Sequence, residues 1–389
     1  MRRFILVLIL GYLSLEIAGL TANDGDDVDF AIAGYLPDYR IRSYLYPQIN
    51  DKKKVPRKPP MTDLIIFSLQ PHPRGFFSCC LEQDHYELVE EFVNSTVLSP
   101  FSPSPSVRVW VTLGGGGRTE AFPEICASNR LRQRLIGSVI TLRYVVVKGR
   151  NTTTWCYFLH SPLLLFDCRS YAFNSSQYSF VGGIDLDFFQ PRTMEELENY
   201  VLFLSEAIAQ WHHHGLKVSM TLHPGLAKYI PNNIFELLDR IHFMAYDMIQ
   251  GGGYHASISK VVAAVEELLH HKVPSHKVLL GIPAYSRHEN NPGQVKTFAE
   301  IYDEIEKDAS HDERKKIFSD LNSWHGYTWE SPVRIRDKIH LAKKMKLGGV
   351  FFWELGQDKM TNEQPGGILL EAAAAEMEDD SKTMGTVEL

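Results

Sequence analysis

Eight short apolar runs rich in Val, Ile and Phe recur along the chain, separated by longer amphipathic stretches. The runs are Phe30 to Tyr35, Leu64 to Leu69, Val107 to Leu113, Phe180 to Phe188, Lys217 to Leu222, Arg240 to Tyr246, Lys277 to Pro283 and Gly348 to Trp353. Between them, Glu195 to His212, Ser259 to His270 and Arg334 to Met345 carry apolar residues at helical spacing. Strands that read as nearly continuous apolar runs, each followed by a helix, belong to parallel sheets covered on both faces. Eight such units close into a (β/α)8 barrel. The same pattern alone also suits an open doubly wound sheet. With 389 residues the chain has the length of one such barrel domain.

Three segments depart from the rhythm. Met1-Arg2-Arg3 and the apolar run Phe4 to Leu10, ending in small residues near Ala18 and Ala22, read as a signal peptide over 1–22. Gly11, Ser14 and Glu16 interrupt that run, which argues against a membrane span. Secretion is therefore expected, and the sequons at Asn94, Asn151 and Asn174 agree with glycosylation. The barrel is expected over 28–372, with an irregular apolar segment at 143–179 and an acidic disordered tail at 373–389. A structureless insertion as long as 143–179 is unusual within a compact barrel. It reads as a loop, as a flap pinned through Cys156 and Cys168, or as sequence foreign to the mature product, such as a translated intron. The last is preferred, because exposed apolar runs are an aggregation hazard.

Composition narrows the partners. A net charge of −7 disfavours nucleic acid and anionic membrane, both of which need a basic surface. The five cysteines (Cys79, Cys80, Cys126, Cys156, Cys168) show no zinc spacing and leave at least one thiol unpaired. His212-His213-His214 lie about 100° apart on a helix and do not converge on one ion. Gly114 to Gly117 and Gly251 to Gly253 lack the Lys-Ser/Thr or dinucleotide context of a phosphate loop. Neither metal nor cofactor is expected.

Catalytic groups of a barrel sit where strands exit at their carboxyl ends. The fourth run ends in Gly182-Gly183-Ile184-Asp185-Leu186-Asp187-Phe188-Phe189-Gln190-Pro191, whose alternation puts Asp185, Asp187 and Phe189 on one face. Two carboxyls on a buried strand face are costly unless paired, and the two raise each other's proton affinity. A structural hydrogen-bond cluster and a catalytic one both fit. His223, at the fifth exit, reads either as groove lining or as an ordinary loop residue.

That segment resembles the signature D-G-x-D-x-D-x-E of glycoside hydrolase family 18, the chitinases. Asp185, Asp187 and Pro191 match it; Gly182 and Phe189 depart from its first aspartate and its final glutamate. Thr112-Leu113-Gly114-Gly115 resembles the family's third-strand element, Met244-Ala245-Tyr246-Asp247 its sixth, Tyr285-Ser286-Arg287 part of its seventh and Phe352-Trp353-Glu354 part of its eighth. Gly34-Tyr35 and the Phe67 strand match the first two. The resemblance implies a family 18 barrel with little room between Tyr285 and Trp353 for an inserted subdomain.

It also implies substrate-assisted retaining hydrolysis of N-acetylglucosamine polymers, in which the sugar's own acetamido oxygen attacks the anomeric carbon. Asp187 would orient the acetamido group, Asp185 would hold its proton balance and Tyr246 would donate to the acetamido oxygen. Asp247 would contact the sugar and Trp353 would floor it, with Tyr35, Phe67, Gly114, Gly115, Met244, Tyr285 and Arg287 lining the groove. Phe189 stands where the acid belongs and cannot donate a proton, and general acid catalysis is worth ~10²- to 10⁴-fold. The expected protein is thus a secreted chitin or chitooligosaccharide binder with little or no turnover. The alternatives are a hydrolase using another carboxyl such as Glu354, and an interaction protein on a barrel scaffold.

Overall fold

The computed structural model describes residues 30–50, 60–78, 85, 88–89, 91–93, 97–99, 102–105, 107–145, 181–187 and 191–384. The signal segment, the sequons, Cys79, Cys80, Cys156, Cys168, residues 146–180 and Phe189 lie outside the described residues.

All eight expected strands form. Strands β1 (Ala31–Pro37) and β2 (Asp63–His72) come first, then the short strands β3 (Phe76–Ser78), β4 (Val97–Ser99) and β5 (Ser102–Pro105). The barrel continues through β6 (Arg108–Gly114), β7 (Val181–Asp187), β8 (Lys217–Leu222), β9 (Arg240–Phe243) and β10 (Val278–Pro283). An excursion carries β11 (Tyr285–His288), β12 (Asn291–Thr297), β13 (Ser323–Trp324) and β14 (Tyr327–Thr328) before β15 (Gly349–Trp353). The parallel order β1-β15-β10-β9-β8-β7-β6-β2 returns to β1, so the sheet closes and the doubly wound alternative falls away. Burial on both faces explains the runs: every residue of Val278–Pro283 is buried.

The helix Met194–His213 shows how the outer layer is made. Thr193 caps it, its side chain accepting from the Glu196 N–H at 3.1 Å. Leu197, Tyr200, Leu204, Ile208 and Trp211 form one buried stripe. Trp211 also donates through Nε1 to the Ile136 carbonyl of the adjacent helix at 3.1 Å. His212 turns outward to Asp239, 2.8 Å away.

Two details depart from expectation. The small space foreseen between Tyr285 and Trp353 contains a four-stranded antiparallel sheet, β12-β11-β14-β13, with helices Phe298–Asp308 and His311–Lys316. Its short, half-exposed strands lack the apolar runs that revealed the barrel. The tail expected to be disordered from 373 instead continues the helix Ile368–Met384. Ala373 is fully buried there, and Arg336 donates to Glu376 at 2.7 Å, so the first acidic turns have partners.

The amino-terminal end of the barrel is closed by charge. Asp63 accepts from Arg108 Nε and Trp110 Nε1 at 2.9 and 2.8 Å, and Arg240 Nη1 lies 2.9 Å from the same oxygen. Burial raises the affinity of Asp63 for a proton, but Arg240 and Arg108 outweigh it and hold the carboxyl below its ordinary range. Trp110 crosses the interior over Gly183, where any side chain would collide with the indole. Removing a buried ion's partner costs about 3–5 kcal/mol. Asp63→Ala should therefore lower the unfolding free energy by about that amount in urea titrations, with Arg240 left uncompensated.

Candidate active site

The site is built around one carboxylate. Asp185 lies in register between Thr112 of β6 and Ser219 of β8 and is wholly buried. Its Oδ1 accepts from Ser219 Oγ at 2.7 Å; its Oδ2 accepts from Tyr35 Oη at 2.9 Å and Thr112 Oγ1 at 3.0 Å. Thr221 Oγ1 lies 3.2 Å from Oδ2, and His242 Nδ1 lies 3.2 Å from Oδ1. Burial pushes this carboxyl up, yet His242 and the hydroxyls outweigh burial and hold it ionised below the usual carboxylate range.

One turn of pleat further, Asp187 has the opposite fate. It is buried, and its Oδ1 has no hydrogen-bond partner among the described residues. Burial first and the Asp185 charge second push its pKa up to about 8, so it is a neutral acid at physiological pH. The loop after β6 wraps this residue: the Gly115 N–H donates to the Asp187 carbonyl at 2.7 Å. Gly115 has φ +75°, and a Cβ there would stand 2.5 Å from both Asp187 Oδ2 and the Phe67 ring. Gly114, at φ +97°, is equally constrained against the Asp187 carbonyl.

Above the carboxyls the barrel interior is aromatic. Tyr35, Phe67, Tyr246 and Phe351 belong to one buried cluster, with Met244 and Trp353 packed on it. Trp353 meets Phe67 edge-on at 4.8 Å and Tyr35 at 5.4 Å between ring centroids. Trp353 is only partly buried, so the cluster reaches solvent at this residue. Tyr246 touches Tyr285 at 6.3 Å, which joins the cluster to a second group. There Asp247 accepts from Tyr285 Oη at 2.5 Å and, in bidentate fashion, from Arg287 Nε and Nη2 at 2.6 and 2.8 Å. Burial works against the charge of Asp247, but these donors keep its pKa below the ordinary value.

All the expected site residues among the described ones thus converge, though in different conditions. Asp185 has no open surface. Arg287 has all three nitrogens engaged, the third on the Pro292 carbonyl at 2.7 Å, so it braces Asp247. Glu354 does not open on the groove: its side chain is 1% exposed, and Oε2 accepts from the Gly356 N–H at 2.9 Å. Ser219, Thr221, His242 and His255 were not singled out from the sequence. Ser219-Met220-Thr221 and Arg240-Ile241-His242 place polar residues at every second position of apolar strands, a signal of an inward polar face.

Comparison with known proteins agrees with the barrel fold. The family model for glycosyl hydrolases family 18 matches residues 73–358. Endochitinase 1 of Metarhizium robertsii is 23% identical over 220 residues, covering 46% of this chain. The chain spans about half the length of that curated relative, 52% of it. Similar solved structures include a family 18 chitinase of Flavobacterium johnsoniae, with a TM-score of 0.66 and 17% identity over 90% of this chain and 94% of the other. A plant class V chitinase mutant from Cycas revoluta, solved with (GlcNAc)3, has a TM-score of 0.65 and 20% identity over 89% and 99%. With a closed barrel, the acidic pair on β7 and a family match across most of its length, the chain belongs to glycosyl hydrolases family 18.

Proposed function

We propose that this protein is a secreted chitinase-like binder of chitin and N-acetylglucosamine oligosaccharides that hydrolyses them slowly or not at all. The observation that carries the binding half is a neutral, unpartnered Asp187 beneath an aromatic floor ending in Trp353. An N-acetyl sugar is uncharged and offers an amide N–H, an amide oxygen and an apolar ring face. A neutral carboxyl can accept from the amide N–H through one oxygen and donate through the other. Tyr246, its pKa raised well above the ordinary phenol value by burial and then by Asp247, stays protonated and can donate to the amide oxygen. Family relatives solved with (GlcNAc)3 and (GlcNAc)4 support this ligand class.

The impaired-turnover half rests on the sequence, where Phe189 stands two residues beyond Asp187 in the acid's position. A sugar alkoxide leaves poorly without a proton donor. Glu354, the other carboxyl considered, has its pKa pushed up to about 7 by burial; its side chain is 1% exposed, with Oε2 on the Gly356 N–H and Arg40 Nε 3.5 Å from Oε1. Among the described residues, no helix is long and apolar enough to cross a membrane. The charged amino-terminal leader supports export.

Three outcomes are expected. Wild-type protein should bind chitotriose in calorimetry without measurable release of reducing ends, and Phe189→Glu should raise turnover by roughly 10²- to 10⁴-fold. Activity in the wild type at the level of that variant would overturn the assignment of the acid. Trp353→Ala should weaken binding by roughly 10- to 100-fold, the equivalent of about 1.5–3 kcal/mol of lost ring burial.

The third concerns pH. In the unfolded chain the Asp187 carboxyl ionises near its ordinary 3.8, whereas in the fold it keeps its proton to about 8. Between those values the unfolded state has lost a proton that the native state retains, so stability falls as pH rises. Asp187→Asn removes this term. Its melting temperature relative to wild type should climb from about pH 4 to about pH 8 and level off above; a flat difference would refute a neutral Asp187.

A further inference from the structure

We infer that His255 is the positioning residue that holds Asp247 and Tyr285 at the sugar groove; this rests on the sugar-binding reading of the site. Asp247 follows β9 with φ +58°, a left-handed backbone that is costly for a non-glycine residue. The Asp247 N–H that this conformation turns inward donates to His255 Nδ1 at 3.0 Å. A ring nitrogen accepts only when it bears no proton, so His255 is neutral with its hydrogen on Nε2. Burial pushes its pKa down to about 4 against the opposing pull of Asp247, with Arg287, Lys338 and Lys260 adding to the depression. Nδ1 also lies 3.3 Å from Asp247 Oδ1, but an unprotonated nitrogen makes no ion pair there.

The same residue acts in two further ways. Its carbonyl accepts from the Met248 N–H at 3.0 Å, closing the loop in which Gly251, Gly252 and Gly253 all have positive φ. Its ring stacks on Tyr285 at 5.3 Å with 21° between planes, and Tyr285 donates to Asp247. One buried ring therefore sets the backbone of Asp247 and the plane of the tyrosine that bonds its carboxylate. Core filling alone requires the ring's volume; positioning requires its acceptor.

His255→Phe and His255→Asn separate the two in the full chain, since phenylalanine keeps volume and stacking while asparagine keeps an acceptor near Nδ1. Hydrogen exchange at the Asp247 amide should quicken by about 10-fold or more in His255→Phe and return toward wild type in His255→Asn. Affinity for chitotetraose should follow the same order, about 10-fold weaker and then recovered. Unchanged exchange in His255→Phe, or equal impairment in both variants, overturns the proposal. If wild-type protein binds no chitotetraose, the sugar reading falls and the exchange order still decides the role of His255. Should His255→Phe not fold, ring-nitrogen NMR of the wild type provides the decision: an unprotonated Nδ1 supports the proposal, and a protonated one overturns it.

Discussion

Everything in the site follows from keeping one charge, on Asp185, at the centre of a closed barrel. An ionised carboxylate there is tolerable only if its lone pairs are met by donors fixed in place. Tyr35 from β1, Thr112 from β6, Ser219 and Thr221 from β8 and His242 from β9 surround it. Each of those strands must accept a polar residue facing inward.

The cost of that arrangement appears at Asp187. A second carboxyl two residues along the same strand shares the burial and the repulsion, but the donors have been used by the first. It responds by retaining its proton. Two chemically identical groups thus become an anion and a neutral acid, separated by environment alone. The aromatic residues above them exclude water from the pair and offer a flat surface to a ring. On the far side, Asp247 remains an anion because Tyr285 and Arg287 supply what Asp187 lacks.

The barrel was legible because its evidence is local and repeated. Strands buried on both faces are apolar over most of their length, and strand alternation put Asp185 and Asp187 on one side without any tertiary information. The excursion β11 to β14 was not legible, since its short strands are half exposed and carry no run of their own. The helical continuation to Met384 was missed for a related reason: Glu376 looks solvated in sequence and is paired with Arg336 in space.

The sequence by itself determined the eight strands, the positions where chemistry can reside and the absence of an ionisable group at Phe189. These depend on residue type and on period, which neighbours along the chain define. Only the tertiary structure decided which carboxyl keeps its charge, that Glu354 is buried, that Arg287 is a brace, and that His255 belongs to the site. Proton affinity and side-chain partnership depend on groups from five strands and their loops, brought within hydrogen-bond reach only when the barrel closes.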